Sequence, residues 1–214
     1  MRYKAIVFDM DGTILDTLDD LAGSVNHSLA VFGYPLRSRD EIRSFLGNGM
    51  IRLIHLSVPE GITSEEEEAV LNEHKSYYPL HSSDMTKPYN GIVELLKELK
   101  SHGIKTAVVS NKSDSNVKAL VDRFFDGLFD VSIGSREGVA RKPAPDMVNM
   151  ALDLLGVSKD DAVYIGDSEV DLKTAENSFL PMITVTWGFR DKEHLVRNGA
   201  TVFADTPEQI LDLL

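Results

Sequence analysis

The sequence predicts an α/β protein, a parallel sheet covered by helices on both faces, with an all-helical insert after the first strand. Three observations carry that expectation. Short, uniformly apolar runs recur along the chain and read as strands buried on both faces. Amphipathic helical patterns lie between them, two of which stop at a glycine. One long interval, residues 16–83, carries helical patterns and no convincing strand.

Strands are expected at 3–8, at "IKTAVVS" (104–110), at "FDVSIG" (129–134), at "AVYIG" (162–166) and at "MITVTW" (182–187). Ile92, Val93, Leu95, Leu96 and Leu99 form one helical stripe ending at Gly103. Met147, Val148, Ala151, Leu152 and Leu155 form another, ending at Gly156. Strands alternating with such helices imply a parallel sheet with both faces covered.

In the insert, Thr17-Leu18-Asp19-Asp20 resembles a capping box with Asp in place of Glu. Leu18, Leu21, Ala22, Val25, Leu29 and Phe32 then keep helical spacing up to Gly33. Further helices are expected over 40–46, 50–56 and 64–78. "SEEEE" (64–68) reads as a solvated helix start, where carboxylates suit the helix dipole. The expected division is therefore a core of residues 1–15 and 84–214 and a helical insert of residues 16–83.

A chain of 214 residues with 43% apolar and 26% charged residues is long enough for a substantial core. Its net charge of −12 argues against general binding to nucleic acid, whose phosphates attract basic faces. Cysteine is absent, which excludes disulfides and thiolate metal sites. Neither a signal-peptide pattern nor an apolar run of membrane-spanning length stands out, so a cytoplasmic protein with no membrane partner is expected. The sequence does not indicate an oligomeric state.

Open parallel sheets bind ligands beyond the carboxyl ends of their strands. Reading just past each expected strand yields Asp9, Asp11, Gly12 and Thr13 after the first, and Ser110, Asn111 and Lys112 at the second. Asp167 and Asp171 follow "AVYIG", and Lys142 stands in "ARKPAPD" before a helix that Pro143 or Pro145 could help to open. Four carboxylates, a hydroxyl and a lysine thus converge on one sheet edge. Carboxylates without histidine or cysteine make a hard-oxygen site, for which Mg2+ is the natural ion. An EF-hand loop starting at Asp9 fails, because Ile14 would occupy the glycine position and Asp20 the twelfth.

The segments "DMDGTILDT", "VVSNK", "RKPAPD" and "GDSEVD" resemble, in order, the four signature motifs of the haloacid dehalogenase-like superfamily. The resemblance covers essentially the whole chain. It implies a Rossmann-like core with an inserted helical cap. It further implies that Asp9 is a nucleophile that becomes an aspartyl phosphate, and that Asp11 is the general acid–base. Ser110 and Lys142 would hold the transferring phosphoryl group, with Gly12, Thr13 and Asn111 shaping its loop. Asp9, Asp167 and the backbone carbonyl of Asp11 would ligate Mg2+, with Asp171 supporting the site. Dehalogenase members lack the second aspartate and the metal, so Asp11 favours a phosphatase.

For the substrate, "FLGNGMIRLI" (45–54) and the C-terminal segment from Thr186 are similar to the phosphoglycolate phosphatase branch. A small phosphorylated metabolite is expected, with 2-phosphoglycolate the first choice. Arg52 and Arg43 are candidates for a second anionic group on it. The β-phosphoglucomutase branch usually has a basic residue where Met50 stands here. The same pattern also serves pyrophosphatases and nucleotidases, and a non-catalytic phospholigand sensor is the alternative outside enzymes.

Overall fold

The computed structural model describes residues 2–214 and divides them into two compact units, 2–16 with 88–214 and 17–87. The expected insert was 16–83.

The larger unit is built on a six-stranded sheet in the order β5-β4-β1-β6-β7-β8. In chain order these are β1 (Ala5–Phe8), β4 (Lys105–Ser113), β5 (Val131–Ser135), β6 (Ala162–Gly166), β7 (Met182–Val185) and β8 (Phe203–Ala204). All five adjacent pairs are parallel. A separate two-stranded pair joins β2 (Leu15–Asp16) and β3 (Lys87–Pro88), where the chain passes between the units.

Alternation along the strands explains their uniform apolarity. Ile6 and Phe8 of β1, Val108 of β4, and Val163 and Ile165 of β6 join one core. That core is completed by α5 (Ile92–Ser101), α6 (Asp114–Phe124) and α10 (Pro207–Leu213). Ala5, Val7, Ala107, Val109, Ala162 and Tyr164 point the other way. They meet Met147, Val148, Ala151, Leu152 and Leu155 of α7 (Asp146–Leu155), and Ala175 of α8 (Glu169–Ser178). Each of these three strands therefore buries both faces, whereas burial of one face alone would have shown a polar alternation.

The helix at 92–101 ends before Gly103 and α7 is capped by Gly156, whose φ of 66° is left-handed as its terminating position requires. β4 continues three residues beyond the expected Ser110, through an irregularity between Val109 and Ser113. The two-residue edge strand β8 was not expected from the sequence, because two residues carry no periodicity. A short α9 (Lys192–Arg197) precedes it.

The smaller unit is helical as expected: α1 (Leu18–Val31), α2 (Arg39–Phe45), α3 (Met50–Ser57) and α4 (Ser64–His81). Leu18, Leu21, Ala22, Val25 and Leu29 of the α1 stripe are buried, whereas Phe32 follows the last turn and is 40% exposed. A capping box does open α4, from Thr63 and Glu66, with Glu65 to Glu67 in the first turn. The box expected at Thr17 is absent. Asp20 instead turns its carboxylate to the backbone N–H groups of Met85 (2.9 Å) and Thr86 (2.8 Å), a contact 65 residues distant that sequence spacing cannot display.

Candidate active site

Register brings the chemistry together. Phe8 pairs with Val108 on one side and with Ile165 on the other, so the end of β1 lies beside β4 near its irregularity and beside the end of β6. Just beyond those paired positions stand Asp9, Ser110 and Asp167, all buried. Asp9 is anchored there by its own N–H, which donates to the Ile165 carbonyl at 2.9 Å.

After Asp9 the chain folds back tightly. The N–H groups of Thr13, Ile14 and Leu15 all point to the Met10 carbonyl, and Gly12 N–H reaches the Leu15 carbonyl. Gly12 has φ +84°, and a Cβ there would lie 2.3 Å from Asp167 Oδ2. Only glycine meets both demands. The Thr13 hydroxyl donates to Asp167 Oδ1 (3.2 Å), so this side chain is committed to holding a carboxylate.

Lys142 is the hub. Its buried Nζ lies 2.6 Å from Asp9 Oδ1, 2.9 Å from Asp171 Oδ1 and 3.0 Å from the Tyr164 hydroxyl. Asn111 holds the lysine's own backbone, donating from Nδ2 to the Lys142 carbonyl at 3.1 Å. Asp171 is saturated. Its Oδ1 accepts from Lys142 and from the Tyr164 hydroxyl (3.0 Å), and its Oδ2 from Ser168 N–H (3.1 Å) and Oγ–H (2.6 Å). It therefore helps cap α8 and secures Lys142 at once.

A second lysine reaches the opposite side. Lys112 Nζ lies 3.0 Å from Asp11 Oδ1, with only 7% of the lysine side chain exposed. Its backbone N–H donates to Ser110 Oγ at 3.2 Å.

Asp9, Asp167 and Asp171 can each present an oxygen within 4.8 Å of the others, a group able to hold a metal ion. Burial, followed by the Asp171 charge, raises the Asp9 carboxyl well above the ordinary range, although Lys142 opposes this. The same two causes lift Asp167 to about 7, against hydrogen bonds from Phe189 and Thr13. Burial alone would lower Lys142, but Asp171 and Asp9 hold its ammonium well above the normal value. The pocket thus has more negative than positive charge, a repulsion that a divalent cation would relieve.

Four contributors were not legible in the sequence. Tyr164 sits within an apolar strand run that reads as pure core. Trp187 donates its indole N–H to the Thr13 carbonyl at 3.0 Å. Phe189 N–H donates to Asp167 Oδ2 at 2.6 Å, and Gly188 beside it approaches so closely that a Cβ would lie 2.3 Å from Asp167 Cβ. These three lie beyond β7, and no motif spacing links them to Asp9. Arg52, by contrast, stands exposed on α3 of the smaller unit.

Residues 6–185 match the model of the haloacid dehalogenase-like hydrolases. The chain belongs to that family. Within it, Phosphoglycolate phosphatase 1 of Pseudomonas aeruginosa is 29% identical over 97% of this chain and 78% of its own length. A phosphoglycolate phosphatase of Caulobacter vibrioides is 31% identical, covering all of this chain and 93% of the relative. Among solved structures, a candidate phosphoglycolate phosphatase from Lactobacillus delbrueckii subsp. bulgaricus is 40% identical. It superposes with a TM-score of 0.95 over 100% of this chain and 98% of its own. The Rossmann-like α/β fold of this family is thereby shown for this chain.

Proposed function

We propose that this hydrolase is a Mg2+-dependent phosphatase that cleaves a small phosphomonoester through an aspartyl phosphate on Asp9, with 2-phosphoglycolate as the substrate. The observation that carries the reading is the buried Asp9 carboxylate, 2.6 Å from Lys142 Nζ, with Asp11 two residues on. The names of the relatives support the choice of ester.

The donor set suits Mg2+, being carboxylate oxygen without sulfur or imidazole. Asp9, Asp167 and the Asp11 carbonyl would hold it. With both Asp171 oxygens already engaged, that residue serves the site through Lys142. When bound, the ion supplies charge neutralisation for the phosphoryl oxygens.

Phosphoryl transfer depends chiefly on position and on balancing spread-out negative charge. Asp9 attacks phosphorus, a bond forms to its carboxylate oxygen, and the bond from phosphorus to the ester oxygen breaks. The Asp11 carboxyl gives its proton to the departing alkoxide. Lys142 and the Ser110 hydroxyl face the phosphoryl oxygens, while Gly12 and Thr13, whose N–H groups are engaged within the turn, shape the loop beside them. In the second half, Asp11 takes a proton from water, which attacks phosphorus and frees the Asp9 carboxylate. Splitting one difficult displacement into two is what the buried nucleophile contributes.

No helix among the described residues is long and apolar enough to cross a membrane. A cytoplasmic setting belongs to the same proposal, as does a small phosphorylated metabolite as partner rather than nucleic acid or membrane. The test is phosphate release from a panel containing 2-phosphoglycolate, sugar phosphates, nucleotides, pyrophosphate and p-nitrophenyl phosphate. Highest kcat/KM on 2-phosphoglycolate supports the reading. An isomerised sugar phosphate without free phosphate would identify a mutase.

A further inference from the structure

From the Lys112–Asp11 pair we infer that the alcohol part of the ester is recognised by the core itself, with Lys112 anchoring an anionic group one or two carbons from the ester oxygen. The inference rests on the phosphatase reading, because it uses Asp11 to locate the leaving group.

Asp11 must come within hydrogen-bond distance of the ester oxygen to protonate it. Lys112 Nζ is 3.0 Å from Asp11 Oδ1, so this ammonium stands beside the leaving group. In a two-carbon ester, bond lengths of about 1.5 Å put the carboxylate oxygens roughly 3–4 Å from the ester oxygen. A carboxylate so tethered falls within reach of the cation that holds Asp11. It would be too short to extend far from the reacting oxygen.

The division of the two lysines supports this assignment. Lys142 is enclosed by Asp9, Asp171 and Tyr164 at the nucleophile. Lys112 arises from the irregular end of β4 and meets the acid–base instead. An ammonium carries three donors, so holding Asp11 and a substrate carboxylate together is compatible with its chemistry. Its side chain is almost fully enclosed, which strengthens an ionic contact relative to one in open solvent. Backbone fixes its base as well, through the Lys112 N–H bond to Ser110 Oγ. An exposed arginine would lack both constraints.

The test compares 2-phosphoglycolate with ethyl phosphate, which has the same carbon count and no carboxylate. In the native enzyme kcat/KM should favour 2-phosphoglycolate, and the preference should fall for 3-phosphopropionate and again for 4-phosphobutyrate. This series needs no variant, so it stands even if a substitution disturbs folding. Lys112→Gln should reduce the ratio of 2-phosphoglycolate to ethyl phosphate about ten- to a hundredfold, chiefly through KM. Lys112→Arg should restore part of it. A ratio unchanged in Lys112→Gln, with both substrates equally slowed, would leave Lys112 acting only on Asp11 and overturn the inference. So would a ratio that collapses in Arg52→Ala instead. Native enzyme releasing no phosphate from any of these esters would defeat the phosphatase reading, and the inference with it. Turnover of ethyl phosphate with no carboxylate preference would defeat the inference alone.

Discussion

Lys142 Nζ bridges Asp9 and Asp171, at 2.6 Å from one carboxylate and 2.9 Å from the other, with both aspartates and the lysine buried. One ammonium is shared between a group that would react and a group that does not. Asp171 is fixed by the start of α8 and Asp9 by the end of β1, so Lys142 ties a helix terminus to a strand terminus across the sheet edge. Such a triad is costly to break from any side, since removing one member leaves a buried charge without its counterion.

Asp171→Asn separates the two roles of that residue. Acting only as a helix cap, it would contribute about 1 kcal/mol. Holding Lys142 as well, its replacement should cost about 3–5 kcal/mol. For a chain of this size that means a Tm lower by roughly 6–20 °C, against roughly 2–4 °C for a cap alone. Thermal unfolding followed by circular dichroism reads the difference.

Asp9→Asn removes the nucleophile while keeping its shape. Phosphate release should fall at least roughly a thousandfold. Far-ultraviolet circular dichroism should remain that of the native protein. Substantial remaining turnover would exclude Asp9 as the attacking group.

Chelation tests the acidic cluster. EDTA should abolish phosphate release and added Mg2+ should restore it, while Asp167→Ala should raise the Mg2+ concentration required or eliminate activity. Metal-free protein, verified by elemental analysis, that keeps full turnover would contradict the site.

Two glycines make opposite forecasts. A Cβ at Gly188 would lie 2.3 Å from Asp167 Cβ and 2.4 Å from the Gly12 carbonyl oxygen, so Gly188→Ala should displace Asp167 and weaken Mg2+ activation. Gly23 lies inside α1 with nothing within 4 Å of an added Cβ, and Gly23→Ala should stabilise the protein by about 0.5–1 kcal/mol. Paired measurements of melting and of Mg2+ dependence would show the first change acting on the site and the second on the helix.

Within the helical unit, Asp20→Ala should leave the Met85 and Thr86 amides without their acceptor. A lost buried partner costs about 1–3 kcal/mol per group. Amide hydrogen exchange at those two positions should accelerate ahead of exchange in α1. Unchanged protection would mean that the Asp20 bonds contribute little to the order of that segment.

Much of this protein is determined by local sequence alone. Strands buried on both faces have to be apolar throughout, so β1 and β6 were readable as runs of four and five residues. Helices with one buried stripe have to repeat near 3.6, which placed α5 and α7 and their glycine stops. Because parallel strands bind ligands at their carboxyl ends, the residues at or just past the expected ends, Asp9, Ser110 and Asp167, were singled out without coordinates.

Tertiary structure alone decided what those side chains touch. Packing set Lys142 between Asp9 and Asp171, made Asp20 a clamp for Met85 and Thr86, and brought Lys112 to Asp11. It also carried Trp187 to Thr13, 174 positions earlier, and recruited the Tyr164 hydroxyl from an otherwise apolar strand. The physical reason is range. Propensity and periodicity act over a few residues, whereas a buried charge must find its partner wherever packing brings one, and no spacing along the chain records that distance.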